Sequence, residues 1–213
     1  MQNLTKGITR EFVSTALLSM SILGSAVMAS KLSEDTGIRL IINMVATVFM
    51  IFYLISVNSR HFDIDFNPAV TLFKMFTSEI SKINALIRIF FQFAGALAGA
   101  LIVNFMFNLK IFSVSSLNRD GINIFAGELI ATLGLLWVIL SAAQNSNLLV
   151  PTWIGAAIFF TSSTAFANPA ITLGRIFSES FAGVSYSSAM YLILSQTTAL
   201  LLMILIRKGV KLN

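Results

Sequence analysis

The sequence predicts an all-α membrane protein: six transmembrane helices plus two half-helices, arranged as an inverted repeat. Three observations predict it. The composition is 56% hydrophobic and 11% charged, with a mean hydropathy of +0.86, whereas a soluble domain is about 25% charged. The apolar residues gather in six runs, near 12–29, 38–57, 86–107, 122–143, 148–163 and 189–206, each near the ~20 residues that cross a bilayer. Two of the three prolines stand in almost the same text, DFNPAVTLF at 65–73 and TAFANPAITLGR at 164–175.

Taken in order, the first run follows Lys6 and Arg10 and holds Ala-Val-Met-Ala at 26–29, which has the look of a signal peptide. Cleavage is not expected, because the segment has a counterpart later in the chain. Glu11 opens it in EFVSTALL, and Glu128 opens the fourth run in ELIATLGLL, with Thr15 against Thr132. The second run carries Thr47. The third carries Gln92, with Gly95 and Gly99 placed for close helix packing. The sixth carries Gln196. The segments 61–78 and 164–181 are too short to span, and each holds an Asn-Pro-Ala. The order Glu, Asn-Pro-Ala, Gln therefore occurs twice, dividing the chain into repeats near 1–112 and 120–213 of one channel domain. A short, Pro-interrupted apolar segment at matching places in two halves points to a central site. With an odd number of spans per half, the second half inserts upside down.

Orientation follows from the basic residues. With both termini inside, Lys6, Arg10, Arg60, Lys74, Lys82, Arg88, Arg207, Lys208 and Lys211 are cytoplasmic. Lys31, Arg39, Lys110 and Arg119 are outside, with Arg175 held aside as a pore candidate. The larger set lies inside, as the positive-inside rule requires. The net charge of +5 is therefore assigned to span flanks and not to nucleic-acid binding. There is no cysteine, so disulfides and thiol chemistry are excluded. No metal-ligand cluster or nucleophile–base pair is visible, so neither an enzyme nor a cofactor is expected.

Asn is a preferred N-cap, and Pro is favoured at the first helical position. Asn67-Pro68-Ala69 and Asn168-Pro169-Ala170 thus read as helix starts. Helix ends at membrane depth are tolerated only beside protein or a water-filled cavity. Two such helices from opposite faces would meet near the midplane, each N-terminus bearing roughly half a positive charge. The two asparagine amides would then be donors in one space, suited to neutral solutes with acceptor oxygens and hostile to cations.

With these motifs in place, the chain resembles the major intrinsic protein family, the aquaporins and aquaglyceroporins, over essentially its whole length. The resemblance implies a right-handed bundle, one pore per subunit, a homotetramer in the cell (inner) membrane, and water or small neutral solutes as permeants. It assigns Asn67 and Asn168 as central donors. It makes Glu11 and Glu128 buried supports of the dipping loops; the alternative is that both snorkel to water from span ends. A carboxylate at membrane depth costs ~2.5–3.5 kcal/mol on insertion scales.

The chain also departs from the family. Most members have Arg directly after the second Asn-Pro-Ala; here that residue is Ile171, and Arg175 lies one turn on. FTSSTAFANPAITLGRIFSESFAGV resembles a bacterial branch associated with arsenic resistance. Arg175 either turns back to the pore mouth or pairs with Glu179. The other constriction candidates are Thr47, Ala165 and one of Phe160, Thr161 or Ser162. From Ile171 a wider, less polar mouth is expected, favouring glycerol-like polyols, urea-sized solutes or undissociated arsenite. Asp65 stands where the family commonly has His, and His61 is read as a loop residue. A secondary transporter and a closed structural protein are the alternative functions.

Overall fold

A computed structural model describes residues 2–58, 64–141 and 145–211, excepting the side chains of 2–6 and 210–211. His61 and Arg60, and the ends of the segments expected at 61–78 and 122–143, lie outside the described residues.

The elements are α1 (Gln2–Leu32), α2 (Thr36–Asn58), α3 (Pro68–Phe76), α4 (Lys82–Met106), α5 (Ile122–Ser141), α6 (Ser146–Phe160), α7 (Pro169–Gly174) and α8 (Tyr186–Lys211). A 3-10 turn at Arg175–Phe177 prolongs α7. Among the described residues the fold is all-helical, and α1, α2, α4, α5 and α8 are long and apolar enough to cross a membrane. The fifth span, expected at 148–163, begins two residues earlier and ends three residues earlier, at Ser146–Phe160. α6 has 15 residues, roughly 22 Å at 1.5 Å per residue against a hydrocarbon core of ~30 Å. It stops because Thr161 turns extended, at φ −101° and ψ 144°. The polar residues behind it bond elsewhere: Ser162 Oγ donates to the carbonyl of Asn123, 2.6 Å away.

The helices pack as two matching sets. α1 lies on α2 and α4 as α5 lies on α6 and α8, and α3 lies against α4 as α7 lies against α8. Small residues allow the α1–α4 approach. A Cβ on Gly95 would collide with the carbonyl of Phe12, and one on Gly99 with that of Ala16. Ser19 Oγ donates to the Ala96 carbonyl at 2.8 Å across this seam. Ser195 Oγ does the same to Phe125 across α5–α8, at 2.7 Å. Large apolar side chains such as Phe49, Phe90, Phe105 and Leu205 are exposed, while Glu11, Glu128, Gln92 and Gln196 are buried. That inversion suits a bundle whose outer solvent is lipid.

Candidate functional site

The site is built from the two dipping segments. Asn67 caps α3, its Oδ1 accepting from Ala69 N. Asn168 caps α7, its Oδ1 accepting from Ala170 N and Ile171 N. Each side chain also reaches the other segment. Asn67 Nδ2 donates to the carbonyl of Ala167 (2.8 Å), and Asn168 Nδ2 to that of Phe66 (2.9 Å). A primary amide has two N–H donors, so each asparagine keeps a second one at the cavity that both line.

The backbone before each asparagine is strained. Phe66 and Ala167 take φ of +38° and +45°, and Thr164 and Ala165 are also left-handed, at +61° and +50°. Such residues cost about 1–3 kcal/mol each unless the surroundings impose them. The buried glutamates hold Phe66 and Ala167, while Thr164 N donates to the Thr161 carbonyl and Ala165 N to Ser163 Oγ. Glu11 accepts from the N–H groups of Asp65 (3.0 Å) and Phe66 (2.8 Å). Glu128 accepts from those of Phe166 (3.1 Å) and Ala167 (2.5 Å). Gln92 Nε2 donates to Glu11 and to Thr71 Oγ1, and Gln196 Nε2 to Glu128 and to Thr172 Oγ1. Both carboxylates are fully buried, so neither snorkels to water.

One cavity of about 260 Å³ passes both asparagines. It runs from Asn58 and Lys74 at one end to Arg119 and Arg175 at the other. Thr47, Ala165 and Ile171 line it. Phe160, Thr161 and Ser162, expected to supply a constriction residue, do not; α6 presents Val150, Ile154 and Ile158 instead. Phe160 is exposed on the bundle surface and packs edge-on against Trp153. Thr161 Oγ1 returns to the Ala157 carbonyl at 2.7 Å. Phe160 ends the helix on its outward face, and the helix stops before it could turn Thr161 and Ser162 inward.

Arg175 lies on the cavity and is 6% exposed. Its guanidinium stacks on Phe166, 3.4 Å from the ring centroid, and its Nε donates to the Ala182 carbonyl at 2.5 Å. Among the described residues it makes no ion pair with Glu179, which is exposed. Ile171 is 1% exposed within the apolar core. The less polar mouth expected from Ile171 is thus not what this end has, since two guanidiniums reach it.

The second is Arg119, expected from the sequence only as a flank of the outer set. The connection between α4 and α5 folds back over the segment after α7. Ser115 N donates to the Ile176 carbonyl and Ser185 N to that of Leu117, both at 2.8 Å. Arg119 N then donates to Ser188 Oγ (2.8 Å), its Nε to the Gly183 carbonyl (3.1 Å) and its Nη2 to that of Phe181 (2.5 Å). No local pattern in SSLNRDG signals this; it depends on a strap meeting chain 60 or more residues away.

The opposite mouth carries a second missed cluster. Asp65 is buried and accepts from Thr71 Oγ1 at 2.9 Å. It pairs with Lys74 (2.6 Å) and Arg88 (3.1 Å), and Arg88 also stands 3.7 Å from Glu11. No group of three or more His, Asp or Glu able to hold a metal occurs among the described residues.

Two half-helices capped end to end by paired asparagines, inside an inverted bundle around one lined cavity, define a membrane channel. The family model of the major intrinsic protein matches residues 1–165. The chain is 32% identical over 186 residues to the aquaglyceroporin AqpS of Rhizobium meliloti, covering 85% of this chain and 80% of that one. It is similar in fold to the X-ray structure of the aquaglyceroporin from Plasmodium falciparum, with a TM-score of 0.65 and 19% identity over 93% of each chain. The chain belongs to the major intrinsic protein family; it is a channel and not an enzyme.

Proposed function

We propose that residues 1–213 form one passive channel for water and small neutral solutes: glycerol-like polyols, urea-sized molecules and undissociated arsenite. The observation that carries this reading is the cavity past the paired asparagines, whose spare N–H donors meet it from both segments. Cation exclusion follows from the facing helix N-termini and the arginines at one mouth. A secondary transporter needs an ionisable midplane group to couple an ion. Glu11 and Glu128 are poor candidates, being sealed behind the dipping segments by four hydrogen bonds from backbone amides and two from glutamines. The basic residues support termini on the cytoplasmic side of the cell (inner) membrane, which places Arg119 and Arg175 at the outer mouth. The exposed apolar surface suits lipid and a homotetramer of one-pore subunits.

Stopped-flow light scattering on proteoliposomes tests this. Faster shrinkage or reswelling than in empty liposomes is expected with water, glycerol, urea and arsenite. No acceleration with any of them would leave the closed structural protein as the surviving reading.

A further inference from the structure

We propose that Asp65 is a positioning residue for the α3-side mouth, opposite Arg119 and Arg175. It draws the Lys74 ammonium against the dipping segment and so keeps that end of the cavity clear for neutral solutes. The proposal rests on the channel reading and adds to it the pair that sets how open this mouth is.

The fold puts a charge on a flexible stem at the end of the cavity. α3 starts at Pro68, just after Asn67, and carries Lys74 in its last turn. Lys74, Asp65, Asn58 and Ser146 line this end. A lysine side chain is a compact, strongly hydrated charge on a flexible four-carbon stem. Extended into the mouth, it would bring its charge and its bound water into the path of the solute. Instead it is drawn aside, with Nζ 2.6 Å from Asp65 Oδ1.

Asp65 can hold it because Asp65 is itself fixed. Its side chain is fully buried. Its backbone N–H donates to Glu11 Oε1 at 3.0 Å. Its Oδ2 accepts from Thr71 Oγ1 at 2.9 Å and from Arg88 Nη1 at 3.1 Å. The two oxygens thus divide their work: Oδ2 is anchored to α3 and α4, and Oδ1 is turned to Lys74. Asn58 is also anchored to the wall, accepting from Arg10 Nη1 at 2.9 Å and donating to the Leu54 carbonyl at 2.8 Å. Asp65 does for Lys74 what these partners do for Asn58.

Neutralising Asp65 removes the carboxylate that Lys74 and Arg88 share. The two cations then repel each other through a partly buried site, where screening is weak. Of the two, Lys74 lines the cavity, so the mouth is the space into which its stem swings.

The test uses the full chain in proteoliposomes, with glycerol flux read by light scattering. Asp65→Asn is expected to lower flux several-fold. Adding Lys74→Ala to it is expected to restore most of that loss, because the released side chain is gone. Lys74→Ala by itself should raise flux modestly. A purely structural role for Asp65 predicts the reverse, since a second substitution at the same ion pair would not bring flux back. Unchanged flux in a folded Asp65→Asn variant, or no recovery in the double variant, overturns the proposal. A second arm leaves Asp65 intact and uses the absence of cysteine. Lys74→Cys is labelled in detergent with two methanethiosulfonates of equal length, one ending in an ammonium and one in a sulfonate. Asp65 attracts the first and repels the second, so the sulfonate arm should lower flux several-fold more than the ammonium arm. Equal flux with the two arms overturns the proposal, whether or not Asp65→Asn folds. A wild type that conducts neither water nor glycerol defeats the channel reading itself, and the positioning role with it.

Discussion

Arg175 stacks on Phe166 at 3.4 Å, and this pair is the repeat-related counterpart of Lys74 and Asp65, which meet at 2.6 Å. Asp65 and Phe166 hold the same place before Asn67 and Asn168, and Lys74 and Arg175 the same place after them. Each half therefore ties its half-helix back to the strained segment before it. One half uses an ion pair and the other a cation–π contact. The displaced arginine thus sits at a position that is basic in both repeats.

Asp65→Asn removes the charge that Lys74 and Arg88 share. Breaking a buried pair costs about 3–5 kcal/mol. Both cations keep some solvent, with 15% and 21% side-chain exposure, so a loss at or below ~3 kcal/mol is expected. A fall in thermal unfolding midpoint in detergent checks it, and an unchanged midpoint contradicts the structural role.

Asn168→Asp and Asn67→Asp exchange the amide that donates to the opposing segment for an acceptor. The bonds to Phe66 and Ala167 are lost, and a carboxylate replaces a donor at the cavity. Each variant should lose most glycerol flux or admit potassium, and the two should behave alike. Light scattering with a cation-sensitive dye measures both; wild-type values in both variants would remove the paired-donor mechanism.

Gly99→Leu places a branched side chain against the Ala16 carbonyl and Ser19. The seam has no room, because α1 and α4 approach closely enough for the Ser19–Ala96 hydrogen bond. Overpacking of this kind costs typically ~1–3 kcal/mol. A lower unfolding midpoint is expected. Gly7→Leu meets open space and should leave the midpoint in place.

Glu79 supplies a pH dependence away from the pore. Burial alone would raise its pKa, but hydrogen bonds from Arg207 and Thr77 and the charges of Arg207 and Lys74 prevail. They hold it below its ordinary value. A depressed carboxyl pKa stabilises the fold above the unfolded value, near 4.5, and the contribution fades as pH falls through the folded value. Glu79 is 45% exposed in its 2.8 Å pair with Arg207, and exposed pairs contribute about 0.2–1 kcal/mol. Glu79→Gln should therefore flatten a small part of the acid limb of the midpoint-versus-pH curve. Flux at neutral pH should not change, and a marked change there would contradict the assignment.

The sequence by itself determined the apolar runs, the two capped half-helices and the Glu–Asn-Pro-Ala–Gln order. These are local: hydropathy sets a span, and Asn followed by Pro sets a helix start wherever they fall. Repetition also revealed which residues correspond, so Glu11 matched Glu128, and Gln92 matched Gln196, before any contact was known. Tertiary structure decided what faces the cavity. Phe160, still inside α6, misses it because it stands on the outer face, away from Ile154 and Ile158; Thr161 and Ser162 miss it because α6 ends before them and their hydroxyls bond the Ala157 and Asn123 carbonyls. Arg175 could reach the mouth or Glu179 equally well by spacing; the Phe166 ring and the Ala182 carbonyl settle its direction. Arg119 was invisible because its neighbours at the mouth come from the α7–α8 connection, distant in sequence. Its position depends on a folded-back strap whose hydrogen bonds exist only once both halves are assembled.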